Sequence, residues 1–151
     1  MRIKLEDINR AVVEQFRAAL VRTDIDGADV VAEDVRAPII RPCGKVELDD
    51  NTGGALMERG AQRGATFHLY WFATSRTMPK LENLTVRQAV EDAFLDGVML
   101  EDIHIPLSED INFTVSDGVL ICTVELAWYE HRGEEDGEVM ETLFYNEEVR
   151  A

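Results

Sequence analysis

Basic residues are scarce in this chain. Lysine and arginine together number 15 against 30 aspartates and glutamates, a formal net charge of -15. Affinity for nucleic acid comes largely from basic side chains that neutralise phosphates, so no specific nucleic-acid surface is expected. The same deficit argues against an anionic membrane. No apolar run approaches the ~18 residues of a membrane-spanning helix. The opening MRIKLEDINR has no apolar core of the kind a secretory signal needs, so none is expected. Cysteine is limited to Cys43 and Cys122, without CxxC spacing. Both read as buried small hydrophobes in a reducing compartment. His68, His104 and His131 are the only histidines, and no HxH or HxxxH spacing joins them, so no metal site is expected. The chain has no GxGxxG and no GxxxxGK[ST], hence no phosphate loop. Ser75 and Ser116 lie outside any GxSxG setting. No cofactor and no catalytic residue is expected.

What is present is a chain of 151 residues with 46% hydrophobic content. That length implies one domain, large enough to bury roughly 70% of its unfolded surface. The most informative stretch is Ile111 to Tyr129. Asp117-Gly118 between two apolar runs is a strong hairpin signal. A two-residue type I′ loop sets Ser116 opposite Val119, Val115 opposite Leu120, Phe113 opposite Cys122 and Ile111 opposite Val124. A three-residue loop would leave Leu120, Cys122 and Val124 without partners of like character. The second strand then carries Leu120, Cys122, Val124, Leu126 and Trp128 on one apolar face.

Two stretches read as amphipathic helices. Leu5 to Arg22 places Ile8, Val12, Phe16, Ala19 and Leu20 on one stripe. A second helix, capped by Asn83 or Thr85 and reaching Leu95, carries Val86, Ala89, Val90, Ala93 and Phe94; Asp96-Gly97 ends it. Between them, Thr23 to Asp29 is turn-rich and Val30 to Val35 is strand-like. Pro38 and Pro42 bracket an edge or bend, and Cys43 to Leu48 is a short strand. Asn51 to Gly64 has four glycines and no sustained periodicity, and reads as a long, exposed, mobile loop. Thr66 to Ala73 is apolar or aromatic on both faces. Phe67, Leu69 and Trp71 point one way; His68, Tyr70 and Phe72 point the other. Such a strand is central and covered on both faces, or covered on the second by another subunit. Ser75 to Lys80 is a linker, and Val98 to Pro106 is one more strand.

These elements predict an α+β domain over residues 1–130, a single mainly antiparallel sheet with two helices packed on it. Residues 131–151 form an acidic tail. Its start, around GEEDG, is solvated, but Val139, Met140, Leu143, Phe144, Tyr145 and Val149 mark a segment able to dock on its own core or on a neighbouring subunit. Glu101-Asp102 and Ser108-Glu109-Asp110 are carboxylate groups of the kind acid–base catalysis uses, but they read better as solvated charges flanking strands. The run Tyr70-Trp71-Phe72 lacks the basic groove that base stacking requires.

The whole chain resembles a family of small proteins of tailed phages and prophages, the tail terminator or tail completion proteins. The resemblance is carried by the LEDINRAVVEQF helix, RPCGKVEL after a proline-containing bend, the FHLYWFAT strand, the amphipathic helix after it, the SDGVLICTVELAWY hairpin and the closing METLFYNEEV. It implies a non-enzymatic virion protein. Such proteins form a ring, usually hexameric, at the head-proximal end of the tail tube, stop tube growth and offer the surface that joins the head. The partners implied are other copies of the chain, the tail tube protein and a head-completion or connector protein. The location implied is the virion tail, with the host cytoplasm during assembly. On that reading His68, Tyr70, Phe72, Leu143, Phe144 and Tyr145 are candidates for a subunit interface. Arg59 and Arg63 are candidates for a lumen or partner contact. The net charge supports one alternative, an acidic DNA mimic that inhibits a basic nucleic-acid enzyme. A mimic would space carboxylates along one exposed face.

Overall fold

The computed structural model describes residues 3–31 and 39–132. Helix α1 spans Leu5–Val21 and α2 spans Lys80–Phe94; the strands are β1 Cys43–Leu56, β2 Gly60–Phe72, β3 Val98–Leu100, β4 Ile103–Ile105, β5 Asn112–Ser116 and β6 Val119–His131. Four strands form one antiparallel sheet in the order β1-β2-β6-β5, and β3 and β4 form a separate two-stranded ribbon. The architecture is α+β, as the sequence implies.

The stripes on both helices face the core. Ile8, Val12, Phe16, Ala19 and Leu20 of α1 are buried, as are Val86, Val90 and Phe94 of α2. All of these but Ala19 join Phe67, Leu69 and Trp71 of β2 and Leu120, Cys122, Val124 and Leu126 of β6 in one apolar cluster. Burying a large apolar side chain contributes about 1.5–3 kcal/mol, so this shared layer is the main source of stability. Helix α1 lies close over β1: a Cβ on Gly44 would come within 2.8 Å of the Phe16 ring. Gln15 links three elements. Its Nε2 donates to the carbonyls of Ala93 and Gly97, both at 2.9 Å, and its Oε1 accepts from the Met99 amide at 3.3 Å. The first of these occupies a carbonyl that the end of α2 would otherwise leave without a partner.

The Asp117-Gly118 hairpin has the expected two-residue register: Ser116 pairs with Val119, Val115 with Leu120 and Phe113 with Cys122. Both turn residues have positive φ, 52° and 79°, as a type I′ turn demands. The ladder ends at Asn112–Thr123, so the expected Ile111–Val124 pair is not part of it; Leu107 bridges to Leu126 instead.

Three expectations need correction. Asn51 to Gly64 is not a loop. β1 and β2 run through it as one hairpin, with pairing from Asn51–Ala65 out to Leu56–Gly60 and a turn at Met57–Arg59. Helix α2 begins at Lys80 rather than at a cap on Asn83 or Thr85. Glu82 in its first turn accepts from the Trp71 indole N–H and the Thr74 amide, both at 3.0 Å, which fixes the helix start against the sheet. Asn83 is buried and donates to the Gly118 carbonyl at 3.1 Å. Val98 to Pro106 is two short strands, because Glu101-Asp102 forms a turn between them. Of the strand expected at Val30–Val35, Val30 makes one parallel bridge to Gly44; residues 32–38 lie outside the described residues. The docking tail beyond Arg132 lies outside them too.

Candidate assembly surface

The helices cover one face of the sheet, and no described helix covers the other. On β2 the side chains alternate strictly: Phe67, Leu69 and Trp71 are fully buried, while His68, Tyr70 and Phe72 are half-buried on the opposite face. The period of two makes this unavoidable for a strand with helices on one side only. The three rings form a ladder, with centroids 6.1 Å apart for His68–Tyr70 and 6.4 Å for Tyr70–Phe72. The Arg41 guanidinium sits 5.7 Å from the centre of the Phe72 ring. Polar neighbours hold the rings in place. The Tyr70 hydroxyl donates to Glu47 at 2.9 Å, and His68 lies 3.1 Å from the Thr123 hydroxyl and 3.3 Å from an Asp49 carboxylate oxygen. Burial, with Glu47 beside it, pushes the Tyr70 phenol up to about 12.

Beyond the helices, β1, β2 and the end of β6 continue as a three-stranded arm. Every β1 residue from Glu47 to Leu56 is exposed, as are Met57 at the turn and Tyr129 on β6. The base of the arm is held by Glu130, whose side chain is only 4% exposed. Its carboxylate accepts from the Trp128 indole at 2.9 Å, the Ile3 amide at 3.1 Å and Arg63 Nε at 2.9 Å. Burial raises the carboxyl's pKa, but the hydrogen bonds from Trp128, Ile3 and Arg63 outweigh it, and the net position is below the ordinary 4.5. Arg63, a candidate for a lumen or partner contact, therefore has an intramolecular role in this chain. Arg59 sits at the hairpin turn, where its carbonyl accepts from the Arg132 amide at 2.6 Å. The sequence contains no signal for the Arg63–Glu130 pair, because 67 residues separate the two groups.

The remaining chemistry-bearing residues do not converge. His104 is on β4 with a ring nitrogen against the Asp96 carbonyl, and His131 ends β6. Among the described residues no group of histidine, cysteine and carboxylate side chains is arranged to hold a metal ion. Cys43 and Cys122 are both buried and free. Some carboxylates have partners: Asp7 pairs with Arg10, Glu14 and Asp29 with Arg17, and Glu47 accepts from Tyr70. Leu143, Phe144 and Tyr145 lie outside the described residues.

This architecture has known counterparts. A chain in the virion of a native gene transfer agent particle has a similar fold, with a TM-score of 0.51 and 13% sequence identity, over 82% of this chain and 94% of that one. None of the curated proteins matches. The family model described as phage tail terminator protein matches residues 7–138. That span holds all but the first two residues of α1, the whole of α2 and the whole four-stranded sheet, and the chain belongs to the phage tail terminator family.

Proposed function

We propose that this phage tail structural protein is a ring-forming terminator without enzymatic activity. It sits at the head-proximal end of the tail tube, stops tube growth and presents the surface that a head-completion or connector protein meets. The ring is hexameric and is built from subunits made in the host cytoplasm. The observation that carries this reading, beside family membership, is the open sheet face with its aromatic ladder at His68, Tyr70 and Phe72. Half-buried rings on a sheet face that no described helix covers are of the kind a subunit interface uses. The tail, residues 131–151, with Leu143, Phe144 and Tyr145, is the segment proposed to cover that face in a neighbouring copy. Two different patches on each subunit are what a head-to-tail ring requires.

Net charge sets the conditions. At -15 the subunits repel one another, and that repulsion is screened as the Debye length falls from about 10 Å at 0.1 M salt to about 3 Å at 1 M. Sedimentation across a salt series tests the reading: a monomer at low salt and a closed oligomer at high salt or on tube ends are expected. A chain that stays monomeric at high salt and does not bind tail tubes overturns it.

A further inference from the structure

Among the described residues the arm has two uncovered edges, and they lie on opposite sides of it. β1 is the last strand of the sheet, and past Gly44, which bridges to Val30, no described residue pairs with its outer edge. On the other side β6 is paired with β5 as far as Thr123; Ser108 then donates to the Glu125 carbonyl and Leu107 bridges to Leu126. From Ala127 to Glu130 no described strand covers that edge.

Open strand edges are templates for pairing, and proteins usually guard them with charge, proline or a covering element. Charged residues make up 30% of this chain, yet Thr52–Leu56 on the β1 edge contains none, and neither does Ala127–Tyr129 on the β6 edge. Neither segment contains proline. Charges flank both segments, with Glu58 two residues past Leu56 and Glu125 two before Ala127. Asp49 and Asp50 precede the β1 segment at a register shift, and the Glu130 carboxylate is turned inward against Arg63.

We infer that these edges join one another between copies, so that Thr52–Leu56 of one subunit pairs with Ala127–Glu130 of the next and the sheet continues across the seam. Strand direction supports this occupant. β1 and β6 are each antiparallel to β2, so they run the same way. A rotation about an axis along the arm preserves that direction and sets β6 beside the next β1 as a parallel pair. Repeating the rotation uses one edge of each kind per subunit and closes a ring. Pairing of like edges would need a two-fold axis and would stop at a dimer. The inference rests on the ring reading, and it assigns the backbone part of the seam, which the aromatic face alone leaves open.

Single cysteines at the two edges test it. Thr52 and Gly54 share a face of the sheet with Ala127 and Tyr129, since Thr52 pairs with Gly64, Gly64 with Ala127, Gly54 with Gln62 and Gln62 with Tyr129. A Cβ on Gly54 has no atom within 4 Å, so the fold accepts a side chain there. The variants T52C or G54C are mixed with A127C or Y129C in high salt under mild oxidation. A covalent dimer in a β1–β6 mixture and none from either variant alone is expected; a variant with one cysteine on each edge should give a ladder ending at the closed oligomer. Dimer from T52C or G54C alone means like-edge pairing and overturns the inference. An oligomer in sedimentation without any cross-link, and without slower amide exchange across Thr52–Leu56 on assembly, places the seam elsewhere and overturns it while the ring stands. Absence of any oligomer, with no binding to tail tubes, overturns both.

Discussion

Consecutive residues of β2 face different worlds. Trp71 is fully buried beneath the helices and hydrogen-bonded to Glu82; Tyr70, one residue before it, lies half-buried on the open face against Glu47. The covered face holds the chain together and has no room to vary, because its side chains are packed from both directions. The open face has half-buried rings in place, with Arg41 over Phe72 and no described helix above them. On the proposed reading, stability and assembly lie on opposite sides of one sheet.

The comparison breaks first if the covered face is not the stronger one. Trp71→Ala removes a buried indole and leaves Glu82 without its donor, and should cost about 3–5 kcal/mol in a urea melt. A loss under about 1 kcal/mol would mean that the helices do not clamp that face.

Glu130→Gln tests whether the arm is anchored through the covered face. Losing the charge opposite Arg63 should cost about 1–3 kcal/mol. The pH dependence has a definite sign. The folded carboxyl titrates below its ordinary 4.5, so its contribution is complete above that value and is lost as pH falls through the lowered one. Urea midpoints followed from about pH 6 to about pH 3 should fall less steeply in the variant than in the parent.

Tyr70→Ala sharpens the contrast. On a half-open face it should change the stability of the free chain by about 1 kcal/mol or less, while the salt-induced oligomer in sedimentation is lost. Loss of several kcal/mol in the isolated subunit would mean that the open face belongs to the core.

The smallest expected effect concerns the thiols. Burial pushes the Cys122 thiol up to about 12 and raises that of Cys43. Both should react negligibly with a thiol reagent at pH 8 in the native protein and completely in denaturant. Prompt native reaction of one thiol would show that its strand opens locally.

Sequence pattern was sufficient wherever one face of an element meets the core. The stripe on α1, the alternation on β6 and the Asp117-Gly118 turn each repeat at the period of their element, and each appears in the structure with the residues expected. It failed at the arm. Residues 51–56 carry glycines and polar groups and are exposed on both faces, and residues 60–64 bury little beyond Ala61, so no apolar alternation marks the strands. Backbone pairing with β2 and β6 holds them, and backbone pairing leaves no trace in side-chain type. The start of α2 was misplaced for a related reason: Asn83 looks like a cap, but its amide is taken by the turn at Gly118, far along the chain.

Local chemistry therefore determined the helices, the hairpin register, the buried stripes and the existence of a strand with two apolar faces. It also excluded phosphate loops and spaced metal motifs, since those depend on residues close in sequence. Only the tertiary structure decided that both helices cover the Phe67–Trp71 side, that no described helix covers His68, Tyr70 and Phe72, that Arg63 turns to Glu130, and that no described strand covers the two edges of the arm. Each of those depends on groups brought together across many residues, and a one-dimensional pattern records periodicity but not which distant segment fills the space above it.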